Sequence, residues 1–118
     1  MDGRFSVVAV SSDSEATRSV WRLKGELDLE GAPLIAETAG GGLDTGGWTV
    51  VLDCQDITFC DSSGLNVLLR LREQASRSGA SLVIARPSEN VRHLFRLTHT
   101  DSVFDIVDTP AEVSVPRV

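Results

Sequence analysis

The tetrapeptide Asp61-Ser62-Ser63-Gly64 is the part of this sequence whose residue types and spacing could support chemistry. It separates an apolar, strand-like segment from an apolar segment with helical spacing that begins at Leu65. A serine in the first turn of such a helix lies among backbone N–H groups that have no intrahelical partner. A phosphate added to its hydroxyl meets the positive end of the helix dipole. The pattern therefore indicates a phosphorylation switch rather than a catalytic serine.

Other chemistries are less well supported. The tetrapeptide is also typical of an ordinary helix start, because Asp and Ser are common there. A nucleophilic Ser63 would need a base, and the sequence contains no Gly-x-Ser-x-Gly elbow. The two histidines, His93 and His99, would point to different sides of a continuous helix. Cys54 and Cys60 lack the second pair of ligands that zinc requires, so we expect buried, inert thiols. We therefore predict no enzyme activity, no metal and no cofactor.

The composition is that of one acidic domain. The chain has 118 residues, a formal net charge of −6 and a pI of about 4.7. This charge disfavours a nucleic-acid partner, and no apolar run reaches the ~20 residues of a membrane span. The first residues lack the basic start and apolar stretch of a secretory signal. We therefore expect a cytoplasmic protein with reduced thiols.

The hydrophobic patterns predict the element order ββαβαβαβ. Strands are expected at residues 5–10, 17–27, 50–53, 81–85 and 103–107, and helices at residues 30–39, 62–78 and 89–97. Asp28 is a candidate N-cap of the first helix, and Pro33 suits its first turn. Gly79 is expected to end the second helix, and Ser88 to cap the third. Residues 40–47 and 55–60 are predicted to be loops.

This order predicts a single α/β domain over residues 1–118. Strands joined through helices pair in parallel, and the leading hairpin adds an antiparallel neighbour. We expect a mixed, mostly parallel sheet with helices packed mainly on one face. The structured core is predicted at about residues 5–109, with a short tail at residues 110–118. The buried positions expected in the third helix are Val91, Leu94, Phe95 and Leu97.

Three segments together resemble a known family. They are Gly25-Glu26-Leu27-Asp28, Val51-Leu52-Asp53 and Phe59-Cys60-Asp61-Ser62-Ser63-Gly64-Leu65. Their order and spacing are similar to those of the STAS domain and, more narrowly, of the bacterial anti-sigma factor antagonists. The resemblance covers residues 5–109 and implies a STAS-like fold.

The resemblance also implies a mechanism of partner switching. In that family the unphosphorylated antagonist binds an anti-sigma factor that is also a serine kinase, and this binding releases the sigma factor. The kinase then phosphorylates the second serine of the motif, here Ser63, with Ser62 as the less favoured acceptor. A PP2C-type phosphatase restores binding. ATP and Mg²⁺ belong to the kinase, so the chain needs no cofactor. The alternative is a STAS scaffold or sensor module in a signalling assembly without sigma control.

The partner-binding residues implied by the resemblance are Asp28, Asp61, Ser62, Ser63, Gly64 and Leu65. From the residues alone, Asp28 is first of all a helix cap. Ile57, Phe59 and Leu65 are either exposed contacts or core, with core favoured for Phe59. We expect the final helix of many relatives to be truncated or absent in the tail, which leaves a monomer or a weak homodimer.

Overall fold

Five strands and four helices follow one another in the part of the chain that the computed structural model describes, residues 5–110. They are β1 (Ser6–Asp13), β2 (Arg18–Leu27), α1 (Ala32–Thr38), α2 (Gly40–Leu43), β3 (Thr49–Cys60), α3 (Ser62–Ser78), β4 (Ser81–Ala85), α4 (Glu89–Thr98) and β5 (Asp105–Val107). The strands pair in chain order. β1 and β2 are antiparallel, and each later pair is parallel. The predicted mixed α/β sheet is confirmed, whereas the predicted tail beyond residue 110 lies outside the described residues.

The helices pack against one face of the sheet, as predicted. Leu52 and Ile84 of the central strands belong to the same buried cluster as the helix residues Leu68 and Phe95. The opposite face, called the outer face below, has a smaller cluster made by strand residues alone: Val20, Val51, Val83 and Ala85, with Val107 packed against them. Since successive strand residues point to opposite sides, neighbouring positions supply both clusters. No helix between residues 5 and 110 is both long and apolar enough to cross a membrane.

The leading hairpin is confirmed, and β1 continues past its predicted end to Asp13. Its register with β2 shifts between Ala9 and Ser11. The side chains of Val8 and Val10 on this edge strand are exposed. A bulge bends and twists an edge strand, which discourages its pairing with a second sheet.

β3 is longer than predicted. Residues 50–53 are buried strand, as expected, but the predicted loop at residues 55–60 is wrong, because β3 extends to Cys60. Parallel pairing with β2 continues until Leu27 lies opposite Cys60. Strand pairing uses backbone N–H and C=O groups, which every residue here supplies. Polar residues at exposed positions therefore do not end the strand.

The glycine-rich segment is partly helical, so the prediction of a loop over residues 40–47 is wrong at its start. Gly40–Leu43 forms α2, and the side chain of Leu43 is fully buried. A Cβ atom at Gly42 would lie 2.7 Å from Cγ2 of Val50. The missing side chain lets α2 approach the sheet closely. Burial of Leu43 therefore outweighs the low helix propensity of glycine.

The limits of α3 and α4 match the sequence signals. Gly79 ends α3 in the left-handed conformation with φ 76°, as predicted. The Ser88 hydroxyl accepts a hydrogen bond from the Val91 N–H at 3.4 Å and caps α4. His99 ends α4 with φ 59°, a conformation that glycine adopts more readily.

The buried side of α4 is narrower than predicted. Val91 and Phe95 are buried, and the Phe95 ring stacks on Phe104 with 4.8 Å between ring centroids. Leu94 is half-buried, but the predicted burial of Leu97 is wrong, because its side chain is 65 % exposed. Val91 and Phe95 are four residues apart, so they lie on the same side of the helix, and this side faces the core.

Candidate functional site

The candidate site lies at the carboxyl ends of β2 and β3. These strands pair until Leu27 and Cys60 lie opposite one another. Asp28 and Asp61 follow directly in the chain, so both leave the sheet at the same edge. Strand pairing thus brings together two acidic residues that are distant in the sequence.

Asp61 caps α3. Its backbone is extended, with φ −108° and ψ −169°, and its Oδ1 accepts a hydrogen bond from the Gly64 N–H at 3.1 Å. The Asp61 carbonyl accepts the first helical bond from the Leu65 N–H at 2.9 Å. The N–H groups of Ser62 and Ser63 are the remaining first-turn donors, which have no intrahelical acceptor. The first turn of α3 therefore has two backbone N–H groups without an acceptor in the helix, next to two serine hydroxyls.

The two serines differ in accessibility. Ser62 is exposed, whereas Ser63 is half-buried. Residue exposure alone favours Ser62 as the acceptor. The preference for Ser63 as phosphoacceptor rests on the family resemblance and stays a prediction.

Gly64 fixes how closely the first turn of α3 approaches β2. A Cβ atom at this position would lie 2.5 Å from the Leu27 carbonyl oxygen and 2.9 Å from Cys60 Sγ. Real Cβ atoms are essentially never found that close to a backbone oxygen. The absence of a side chain at Gly64 therefore lets the serine-bearing turn lie against Leu27, the residue that precedes Asp28.

Asp28 does not cap α1, so that prediction is wrong. The helix begins at Ala32, its N-cap is Gly31, and no side chain bonds to its first turn, although Pro33 lies there as predicted. Instead Oδ1 of Asp28 accepts a hydrogen bond from the Glu30 N–H at 3.0 Å. The Asp28 carbonyl accepts from the Gly31 N–H at 3.1 Å. Asp28 thus stabilises a turn between β2 and α1 and stays half-buried at the sheet edge.

The apolar residues of the site separate into core and surface. Ile57 and Leu65 are buried, so Leu65, predicted as a partner contact, packs in the core. Phe59 was predicted to be core and is 48 % exposed, which corrects that prediction. Gly25 pairs with Ile57, but the next residue, Glu26, pairs with Phe59. The extra residue on β3 interrupts the alternation, so Phe59 does not share the inward side of Ile57.

A further exposed apolar side chain, Leu29, was missed by the sequence reasoning. It is 72 % exposed and follows Asp28 in the turn. The available signal was its position between Asp28 and Glu30, after the predicted end of the strand at residue 27. Leu29 and Phe59 therefore add apolar surface to the two segments that end in the acidic edge.

The thiols and imidazoles contribute no reactive group to this edge. Burial, with the nearby Asp61 charge, raises the pKa of Cys60 to about 12. Burial also raises the pKa of Cys54. Both thiols are buried, as predicted. Within residues 5–110, neither His93 nor His99 hydrogen-bonds to a serine of the site, and no three His, Cys, Asp or Glu residues could hold a metal ion.

The fold is shared with known proteins. The STAS domain model matches residues 9–113. The chain belongs to the STAS domain family. It is 29 % identical over 84 residues to the anti-sigma-B factor antagonist of Bacillus subtilis (strain 168), a match that covers 71 % of this chain and 76 % of that protein.

Solved structures extend the similarity of this STAS domain to three dimensions. It is 26 % identical to the anti-sigma factor antagonist SpoIIAA in its unphosphorylated form, with a TM-score of 0.64 over 92 % of this chain and 91 % of that one. The phosphorylated form of this Bacillus cell fate determinant aligns with a TM-score of 0.65 at 22 % identity, over 92 % and 95 % of the two chains. At that identity the second match shows the fold alone. The predicted STAS fold is confirmed, and anti-sigma factor antagonists are among its relatives.

Proposed function

We propose that this STAS domain is a cytoplasmic anti-sigma factor antagonist and that phosphorylation of Ser63 ends its binding to an anti-sigma factor. The observation that carries the proposal is the Asp61-capped start of α3, which presents its serines at the sheet edge shared with Asp28. The relative named as an anti-sigma-B factor antagonist supports this role. The similarity to SpoIIAA, an anti-sigma factor antagonist whose matched structure is its unphosphorylated form, supports a switch by phosphorylation.

The unphosphorylated edge has the features of a protein interface. Leu29, directly after Asp28, and Phe59, two residues before Asp61, supply exposed apolar side chains. Removing exposed apolar side chains from water is favourable, and aromatic residues are enriched at protein interfaces. The two carboxylates favour a partner whose matching surface is basic. An anti-sigma factor would place such residues opposite the edge.

Phosphorylation changes the charge of this edge without opposing the fold. A phosphate on Ser63 adds about −1.5 to −2 charges at pH 7. The first-turn N–H groups and the helix dipole accommodate that charge in the free protein. In the complex the same charge lies beside Asp61 inside a contact from which water is excluded. Unpaired buried charge and like-charge repulsion then weaken binding, and each 1.4 kcal/mol corresponds to a factor of about ten.

The reaction cycle requires no catalytic group from this chain. The anti-sigma factor acts as kinase and transfers the γ-phosphoryl group of ATP to Ser63 Oγ, which loses its proton as ADP leaves. A PP2C-type phosphatase hydrolyses the phosphoserine and restores the hydroxyl. ATP and Mg²⁺ belong to the kinase. The role of Ser63 is to present its hydroxyl on a helix start that Asp61 holds in place.

The first experiment identifies the acceptor. The protein is incubated with Mg²⁺-ATP and each candidate anti-sigma kinase of the same genome, and its intact mass is measured. We expect the gain of one phosphate in the wild type and in Ser62→Ala, and no gain in Ser63→Ala. Modification that persists in Ser63→Ala and disappears in Ser62→Ala would reassign the site to the more exposed serine.

A second experiment separates the switch from the fold. Ser63→Asp is expected to keep its circular dichroism spectrum and to lose affinity for the anti-sigma factor by at least about tenfold. Ser76→Asp, on an exposed position of the same helix, is the matched control and should bind like the wild type. Equal binding by Ser63→Asp and wild type would contradict the switch. Binding only to other STAS proteins would favour the scaffold or sensor module.

A further inference from the structure

The outer face of the sheet carries an ion cluster that is separate from the serine site. Arg22, Asp53 and Ala85 lie opposite one another on β2, β3 and β4, and Arg86 follows Ala85. Ala85 belongs to the outer cluster, so the Asp53 side chain shares its face. The α3 residues pack on the other face. This cluster is therefore on the side of the sheet away from α3.

Asp53 is the buried centre of this cluster. Its side chain is 1 % exposed, and its two oxygens accept hydrogen bonds from Nε and Nη2 of Arg86. Burial would raise the pKa of Asp53, but the Arg86 hydrogen bond, the Gln55 N–H and the charges of Arg86 and Arg22 outweigh it and lower the pKa. A forked pair of this kind holds the guanidinium in one plane. Asp53 thus positions Arg86.

Arg86 is fixed at its backbone as well. Its φ of 48° lies in the left-handed region, which a long side chain seldom occupies. The Arg86 N–H donates a hydrogen bond to the Val107 carbonyl at 2.9 Å. Residues held in such conformations persist only where their surroundings impose them. The guanidinium of Arg86 is therefore a preorganised donor at the surface, where its side chain is 32 % exposed.

A cavity opens beside these groups. It measures about 290 Å³, and its lining includes four charged residues, Arg18, Arg22, Arg86 and Asp53, together with Ser11. Three guanidiniums thus line one cavity of a chain whose net charge is −6, and the Asp56 charge acts on Arg86 in addition to Asp53. Arg22 Nε lies 3.6 Å from Asp53 Oδ2, which is too long for a hydrogen bond. The two groups form an ion pair without a hydrogen bond, so within residues 5–110 Asp53 does not occupy the N–H donors of Arg22.

We propose that this cavity binds a small oxyanion of the phosphate type between Arg22 and Arg86. Guanidinium groups present paired N–H donors that match the oxygens of a phosphate. Val10 and Val20 form apolar walls, which strengthen the attraction relative to open solvent. Asp53 does not contact the anion and acts by holding Arg86. The site is independent of Ser63 and would exist with or without the switch.

The test is a titration of the full chain with inorganic phosphate at low ionic strength, followed by ¹H–¹⁵N NMR. We expect saturable shifts at residues around the cavity. Arg22→Gln should weaken the affinity by about tenfold or more, because a charged hydrogen-bond donor is lost. Arg77→Gln removes the same charge from an exposed i,i+4 pair on α3 and should bind like the wild type.

Several results would overturn the proposal. Shifts that rise linearly without saturation, or equal binding by Arg22→Gln and Arg77→Gln, would show nonspecific attraction only. Arg86→Gln is unsuitable as the first variant, because it leaves buried Asp53 without its main partner and can unfold the domain. A parallel titration with glycerol phosphate distinguishes the source of the anion. Tighter binding of the ester assigns the cavity to organic phosphates, and tighter binding of inorganic phosphate assigns it to the free ion.

Discussion

Replacing Gly64 by alanine tests whether the serine-bearing turn is held by a close approach to β2. The new methyl carbon would lie 2.5 Å from the Leu27 carbonyl oxygen and 2.9 Å from both Cys60 Sγ and Leu27 Cγ. The sulfur and the leucine side chain can adjust, but the carbonyl oxygen is part of β2, whose pairing with β3 fixes it. Either the end of β2 or the first turn of α3 has to move.

The expected size of the effect follows from two opposing contributions. Overpacking typically costs about 1–3 kcal/mol, and contact with a backbone atom places this case near the upper end. Alanine offsets up to ~1 kcal/mol, because it is a better helix former than glycine. We therefore expect a net loss of about 2 kcal/mol in the free energy of unfolding. At ~4 °C per kcal/mol for a domain of this size, Tm should fall by about 8 °C.

Urea unfolding and thermal melting followed by circular dichroism measure this loss. Gly41→Ala is the matched control: it also adds a methyl group to a helical glycine, but nothing lies within 4 Å of that position. It should leave the stability unchanged or raise it by up to ~1 kcal/mol. If Gly64→Ala were as stable as Gly41→Ala, the close approach of α3 to β2 would be refuted.

Three further predictions concern buried groups. Burial would raise the pKa of Asp53, but its arginine partners outweigh it and keep the pKa below the ordinary 3.8. The stabilisation by Asp53 is thus complete above pH 3.8 and is lost as pH falls through its folded-state pKa. The free energy of unfolding should therefore fall less steeply with decreasing pH in Asp53→Asn than in the wild type. Equal slopes would contradict this prediction. In urea unfolding, Phe95→Ala should lower the free energy of unfolding by about 3–5 kcal/mol, because Phe95 is buried. Leu97→Ala should change it by no more than ~0.5 kcal/mol, because Leu97 is exposed. Similar losses in the two variants would show that the buried side of α4 is wrongly assigned. Cys54 and Cys60 should not react with a thiol reagent until the domain unfolds, because burial raises the pKa of both; rapid labelling of the folded protein would show the opposite.

The elements predicted most accurately are those whose ends carry local signals. α3 begins after a capping Asp61 and ends at Gly79, which adopts the left-handed conformation that glycine favours. α4 begins after Ser88, whose hydroxyl bonds to the first turn. These interactions involve residues close in sequence, so the amino-acid types alone determine them.

The elements predicted wrongly depend on distant contacts. α2 forms because Leu43 is buried and Gly42 can approach Val50, and neither contact is visible in a run of glycines. The outer half of β3 forms because β2 pairs with it. Phe59 is exposed because the register of that pairing shifts between Ile57 and Phe59. Simple alternation along the strand would have placed both side chains on the same side.

At the candidate site, the sequence predicted the position of Asp61 at the start of α3 but not the geometry around Asp28. The resemblance indicated Asp28, yet its turn replaces the expected helix cap because Gly31 takes that position. The ion cluster on the outer face was not predicted, although an acidic residue inside an apolar strand requires a buried partner. Asp53 was such a residue, but its partner Arg86 could not be identified before the neighbouring strands were aligned.

The pairing of strands in chain order also bears on how the domain is synthesised. Each strand pairs with the one made just before it, so a chain that leaves the ribosome can extend the sheet at a single growing edge. The β1–β2 hairpin is complete first and offers its free edge to β3. The serine-bearing turn of α3 emerges directly after β3, when its contact with β2 is already available. The contact between the serine-bearing turn and β2 can therefore form during translation, before β4, α4 and β5 are made.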